Sequence, residues 1–150
     1  TSLSEKKIGL LIWHVSNFWQ TKLRFILKQY RLSLNEYLIL ETLDFLNKNF
    51  KTTFQTNISI YAGIDESVVS VSLKLLENKN LIKRTVDHDN RKKIINILPA
   101  GQQLFDEIFP QIIQQENNLF DKLRDQKLHF CNLLRLILGK KIRIKAKNIL

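Results

Sequence analysis

From Glu5 to Tyr30 the apolar residues Ile8, Leu11, Ile12, Val15, Phe18, Trp19, Leu23, Ile26, Leu27 and Tyr30 recur at three- and four-residue steps. That period predicts one helix of about seven turns, with an apolar face so broad that it needs a large surface to pack against. Ser33 followed by Glu36 reads as a capping box that opens a second helix to about Leu46, with Leu38, Leu40, Leu43 and Phe45 at its buried positions. The next stretch, Asn47 to Thr56, is polar, and its Thr-Thr-Phe is compatible with a short strand. Two short helices follow, near Asn57–Ala62 and Glu66–Lys79. Gly63 suits the positive φ of a helix end and Asp65 is a good N-cap. Two helices joined by so tight a turn make a helix-turn-helix candidate.

Two β-branched runs, Leu81–Val86 and Lys93–Leu98, predict a hairpin whose polar tip is Asp87-His88-Asp89-Asn90-Arg91-Lys92. Pro99 fits the first position of a further long helix, expected to reach about Phe120 with a kink at Pro110. A last helix, from near Asp125, carries Leu128, Phe130, Cys131, Leu133, Leu134, Leu136, Ile137 and Leu138. It is apolar nearly all round, so one partner face cannot satisfy it, and the expected second partner is another copy of the chain.

Charge adds a partner class. The 150 residues hold 24 Lys and Arg against 14 Asp and Glu, a net +10. Such an excess points to a polyanion, either nucleic acid or an anionic membrane surface. It is concentrated in two places. Seven basic and three acidic residues lie between Ser72 and Lys93, and the tail 139–150 carries Lys140, Lys141, Arg143, Lys145 and Lys147 with no acid. Lys6-Lys7 before Ile8–Trp13 has the look of a secretory signal, but His14, Ser16, Asn17 and Gln20 break the apolar run and no small-residue cleavage site follows. No stretch approaches the ~18 apolar residues of a membrane span. The expected setting is therefore cytoplasmic and not membrane-bound.

The order of elements resembles the winged-helix regulators of the MarR family. Leu32-Ser33-Leu34-Asn35-Glu36-Tyr37-Leu38-Ile39-Leu40 is similar to the family's second-helix segment. Ala62-Gly63-Ile64-Asp65-Glu66-Ser67-Val68-Val69-Ser70, with Leu76-Glu77 and Leu81-Ile82, resembles its recognition-helix segment and the strand that follows. The tip Asp87–Lys92 and then Leu98-Pro99-Ala100-Gly101 match the family's Asp-x-x-Asp-Arg-Arg wing and the entry to its fifth helix. Ile12–Gln20 resembles the LWxVSNxWQ first helix of some relatives. Two departures stand out: Val71 and Leu75 occupy positions where many members carry basic residues.

The resemblance implies a mainly α (α+β) fold: one domain over 1–150, in which a winged helix-turn-helix with a two-stranded β-wing (34–99) is flanked by long dimerisation helices (1–33 and 100–138) and a basic tail (139–150). Its implied function is sequence-specific binding of double-stranded DNA, as a homodimer on a palindromic operator. At the spacing of an exposed helix face, Ser67, Ser70, Val71 and Lys74 would face the bases, and Arg84, Arg91, Lys92 and Lys93 the phosphates or minor groove. Asp89 is expected to pair with Arg91 and fix its direction. A solvated helix whose Val68, Val69, Leu73 and Leu76 pack inward explains the same apolar pattern.

Leu11, Trp13, Phe130, Leu134 and Ile137 are the candidate dimer contacts. Trp13, His14, Phe18, Trp19 and Tyr37 could line a pocket for a small aromatic or amphipathic effector, or serve as core. Cys131, among apolar neighbours, is expected to be a buried and inert thiol. Scattered histidines and the lack of a phosphate loop or nucleophile elbow argue against an enzyme, and neither cofactor nor metal is expected. The rival reading is a winged-helix protein of weak sequence specificity, acting as a general nucleic-acid binder or through protein contacts.

Overall fold

The computed structural model describes residues 7–89 and 91–144. Glu5, Lys6, Asn90, Lys145 and Lys147, all used in the expectations above, lie outside the described residues. The chain divides into two compact units, residues 1–112 and 113–150. The first contains α1 (Ile8–Lys28), α2 (Leu34–Asn49), α3 (Gln55–Ala62), α4 (Glu66–Asn78), β1 (Ile82–Val86), β2 (Lys93–Ile97) and the start of α5 (Pro99–Phe120). α5 reaches Phe120 as expected, with Pro110 inside it. The second unit holds the end of α5, a 3-10 segment (Asp121–Gln126) and α6 (Lys127–Ile137). Arg124, at φ +52, breaks that segment.

Only the last two turns of α1 are buried, through Leu23, Ile26 and Leu27; Ile8, Leu11, Ile12, Trp13 and Phe18 are exposed. On α2 the buried face is Leu34, Glu36, Tyr37, Ile39, Leu40, Leu43 and Leu46. Phe45, expected inside, is exposed and Leu38 is half-buried. The helix is phased by Tyr37, Leu40, Leu43 and Leu46, a run of three-residue steps that places Phe45 outside. Against this face pack Ile58 of α3, Val69, Leu73 and Leu76 of α4, Ile95 of β2 and Phe105 and Ile108 of α5. Each such side chain contributes roughly 1.5–3 kcal/mol by leaving water.

β1 and β2 pair antiparallel, from Ile82 opposite Ile97 to Val86 opposite Lys93. Two strands alone are marginal in water. Here the outer edge of β2 is taken up by groups from α2 and the segment after it. The Asn47 amide donates to the Ile95 carbonyl (3.2 Å) and to Thr53 Oγ1 (2.9 Å), and its Oδ1 accepts from the Ile97 N–H (2.9 Å). The Ile95 N–H donates to the Thr53 carbonyl at 2.9 Å. The short strand expected in 47–56 is thus one bridge, Phe54 opposite Ile94.

α5 begins hard against Leu81, which follows the end of α4. A methyl group added at Gly101 would overlap the Leu81 carbonyl oxygen, which itself accepts from the Leu98 N–H. Alanine is normally favoured over glycine in a helix by ~1 kcal/mol. Here the order inverts: Gly101→Ala is expected to lower stability by about 1–3 kcal/mol, read as a lower urea midpoint at unchanged slope. A stabilised variant would refute the close approach.

Candidate nucleic-acid interface

α3 and α4 meet at a turn that needs a left-handed residue, and Gly63 supplies it at φ +66. Ser59 Oγ donates to the Ile64 carbonyl at 2.6 Å and closes the turn. Asp65 caps α4, its carboxylate accepting from both the backbone N–H and the hydroxyl of Ser67. These bonds hold the Asp65 carboxyl below its ordinary range, led by the Ser67 hydroxyl. α4 turns Val69, Ser72, Leu73 and Leu76 inward. Of the four residues expected on its outer face, Ser67, Val71 and Lys74 are exposed and Ser70 is half-buried; Val71 is 62% exposed.

The hairpin tip is organised by Asp87. Its carbonyl accepts from the Arg91 N–H (2.8 Å), its N–H donates to the Lys92 carbonyl (2.7 Å), and its Oδ1 accepts from the Asp89 N–H (3.1 Å). Arg91 adopts φ +53 and is exposed. Among the described residues no ion pair joins Asp89 to Arg91, so the expected partnership is replaced by backbone closure on Asp87. Arg84 also departs from expectation. Its Nε and Nη2 bind both oxygens of Glu77 (3.1 and 3.2 Å), and only 17% of its side chain is exposed. Pairing with Arg84 draws the Glu77 carboxyl below its ordinary range. Arg84 therefore ties α4 to β1 rather than standing free for phosphate.

A cleft of about 510 Å³ gathers several of the expected residues. Ser67 and Ser70 line it from α4, Lys92 and Lys93 from the tip end of the hairpin, and Phe54, Gln55 and Thr56 from the start of α3. Glu66 is its one acidic lining residue. Lys92 Nζ lies over the Phe54 ring, 5.3 Å from its centre. The α3 contribution escaped sequence reading, although the N-terminus of α3 brings backbone N–H groups that suit an anion. A second groove, of about 330 Å³, lies on the other flank of α4 and is lined by Ser33, Asn35, Ser67, Val68, Val71, Ser72 and Leu75.

The family model for the transcriptional regulator SarA/Rot matches residues 21–108, which takes in α2, α3, α4 and the hairpin. The chain belongs to the SarA/Rot family of transcriptional regulators. This SarA/Rot regulator is 34% identical to the HTH-type transcriptional regulator SarT of Staphylococcus aureus over 73 residues, which are 48% of this chain and 62% of that protein. Its fold is that of the MarR-type winged helix. It matches MepR of S. aureus, solved as a MepR–DNA complex, with TM-score 0.78 at 22% identity, covering 90% of this chain and 97% of that one. It matches Bordetella bronchiseptica BpsR with TM-score 0.81 at 18% identity, over 94% and 99%. Relatives and fold neighbours are transcriptional regulators, not enzymes.

The remaining expected residues of the SarA/Rot regulator fall into separate places. Leu11 and Trp13 are exposed on α1. In the second unit, Phe130 and Leu134 line an apolar groove of about 430 Å³ with Ile113, Phe120 and Leu123, and Ile137 is exposed. Of the five proposed effector residues, Tyr37 is sealed in the core and stacked on Phe105, whereas Trp13, His14 and Phe18 are exposed and Trp19 is half-buried. The fully buried Tyr37 ring therefore does not front an open pocket. Cys131 is exposed rather than buried, because within one chain no residue of α6 is fully covered. Among the described residues no helix is long and apolar enough to cross a membrane, and no group of three His, Cys, Asp or Glu could hold a metal ion.

The Asp65 cap gives a signed pH dependence. A carboxyl held low in the folded chain adds stability that is present above its unfolded pKa and lost as pH falls through the folded value. The melting temperature of the wild type is expected to exceed that of Asp65→Ala at pH 7, with the gap closing below about pH 4. A gap that persists at pH 2 would assign the difference to something other than the carboxylate.

Proposed function

We propose that this regulator binds double-stranded DNA in a sequence-specific manner as a homodimer on a palindromic operator. The observation that carries the reading is the cleft that joins Ser67 and Ser70 of α4 to Lys92 and Lys93 of the hairpin. In it one phosphate run meets two ammonium groups and two hydroxyls while the exposed face of α4 enters the major groove. Val71 offers a thymine methyl contact, and Lys74 reaches guanine or phosphate. Arg91, exposed at the tip, suits a narrow minor groove. Asp89 acts only through the tip's backbone. Arg84 contributes by aiming α4 against β1. The fold likeness to MepR, solved with DNA, is consistent with this use.

The apolar faces of α1 and α6 form the dimer contact in this reading, with Leu11, Trp13, Phe130, Leu134 and Ile137 within it. A small aromatic effector is read by Trp13, His14, Phe18 and Trp19. In support, the Trp19 indole N–H is buried with no acceptor among the described residues, and BpsR is regulated in its DNA binding by 6-hydroxynicotinic acid. The setting is the cytoplasm. A second reading, a general nucleic-acid binder, draws on one observation: the outer face of α4 shows Val71 and Leu75 where a base-reading cation would stand.

Competition binding separates the two. A regulator is expected to hold its enriched site ~10³-fold or more over random duplex, and a general binder holds both alike. Arg91→Ala is expected to weaken operator binding by about 1–3 kcal/mol in anisotropy titrations at fixed salt; equal affinity would remove Arg91 from the interface. Light scattering at micromolar protein is expected to return twice the 17.7 kDa chain mass, and a monomer would overturn the dimer.

A further inference from the structure

The recognition helix ends where two left-handed turns lie side by side. α4 closes at Asn80, φ +58, with the Leu81 N–H donating to the Leu76 carbonyl at 3.1 Å. α1 closes the same way at Arg31, φ +55, with the Leu32 N–H on the Leu27 carbonyl at 3.2 Å. One side chain bridges them. Lys79 Nζ donates to the Arg31 carbonyl at 2.6 Å and to Glu36 Oε2 at 2.7 Å. The other Glu36 oxygen accepts from the Ser33 N–H at 3.1 Å.

The Glu36 side chain is only 5% exposed, against 36% for Lys79. Removing the ammonium would leave a carboxylate out of water with one backbone donor, the condition in which breaking a pair is most disruptive. Each charge also suits the helix end beside it: the ammonium at the carbonyl end of α1, the carboxylate in the first turn of α2. Lys79 lies about 18 Å along the helix from Ser67, beyond the half of α4 that lines the cleft. On its other side the same last turn is tied to β1 by Glu77 and Arg84. Rotating the helix end therefore breaks one ion pair or the other.

We propose that Lys79 is a positioning residue for DNA recognition: through Glu36 and the Arg31 carbonyl it fixes the end of α4 to the corner between α1 and α2, so that a displacement of α1 is carried to the reading face. The role in recognition rests on the DNA-binding reading above; the mechanical link does not. Its test uses Lys79→Gln, Glu36→Gln, the double variant and Lys79→Arg in the full chain. In free protein, amide exchange at residues 29–33 and 75–79 is expected to rise about tenfold in either single variant and to return toward wild type in Lys79→Arg. Operator affinity is expected to fall about tenfold in each single variant, with no further loss in the double. The slope of log affinity against log salt should stay at the wild-type value. Unchanged exchange, or single losses that add, would overturn the link. A slope lower by about one would overturn it too, since Lys79 would then be a phosphate contact. Wild-type protein that binds no duplex would sink the DNA reading and leave the exchange result to judge the link.

Discussion

The hairpin that delivers Lys92, Lys93 and Arg91 depends on one side-chain amide. A two-stranded sheet leaves the outer edge of each strand without backbone partners, and five residue pairs do not outweigh the entropy of ordering them. Asn47 meets that deficit from a helix. Its amide takes the place of a neighbouring peptide group, giving a donor to Ile95 and an acceptor to Ile97 across some fifty residues of sequence. Thr53 completes the edge. The wing is thereby welded to α2, whose other end carries the Ser33 cap and Glu36. Losing the amide would strand a buried donor and acceptor at about 1–3 kcal/mol, and would loosen the cleft with them.

The recognition helix is held by groups of the same kind. Its start is a cap written in three adjacent residues, Asp65 to Ser67; its end is held by partners 43 and 7 residues away. Between these ends the helix contributes only Val69, Ser72, Leu73 and Leu76 to the core, which leaves its outer face free of structural duty. That separation of roles explains how the residue at position 71 can be a valine without any part in the core. The charge of the SarA/Rot regulator divides in the same way. Lys79 and Arg84 are consumed in internal pairs, while Lys92, Lys93 and Arg91 stand exposed.

What the sequence made legible is what short-range chemistry decides. The Ser33–Glu36 box, the Gly63 turn, the Asp65 cap, the two strands and Pro99 at the start of α5 all stand where local spacing put them. The order of these elements was enough to see a winged helix. The misreadings share a different cause. Apolarity alone predicts Phe45 inward, whereas the phase set by Tyr37, Leu40 and Leu43 turns it out. Local spacing offers Arg84 to phosphate, and its partner Glu77 comes from a different element. The Asp89–Arg91 partnership assumed side-chain attraction where the backbone of Asp87 closes the tip. Asn47 and Lys79 gave no signal of these roles, since an amide or ammonium becomes structural only through a partner that the fold brings from elsewhere.

α6 offers its apolar side chains to solvent within a single chain, and none of its eleven residues is fully covered. In the proposed dimer, the free energy that such a face can yield is realised by association. On the dimer reading, the stability of this regulator is then a property of its concentration as well as of its sequence, because a folded pair is favoured over separate chains by mass action. Dilution would weaken folding and operator occupancy together. The number of copies in a cell thus enters the response twice, once through binding and once through the integrity of the binder, and steepens it without any ligand.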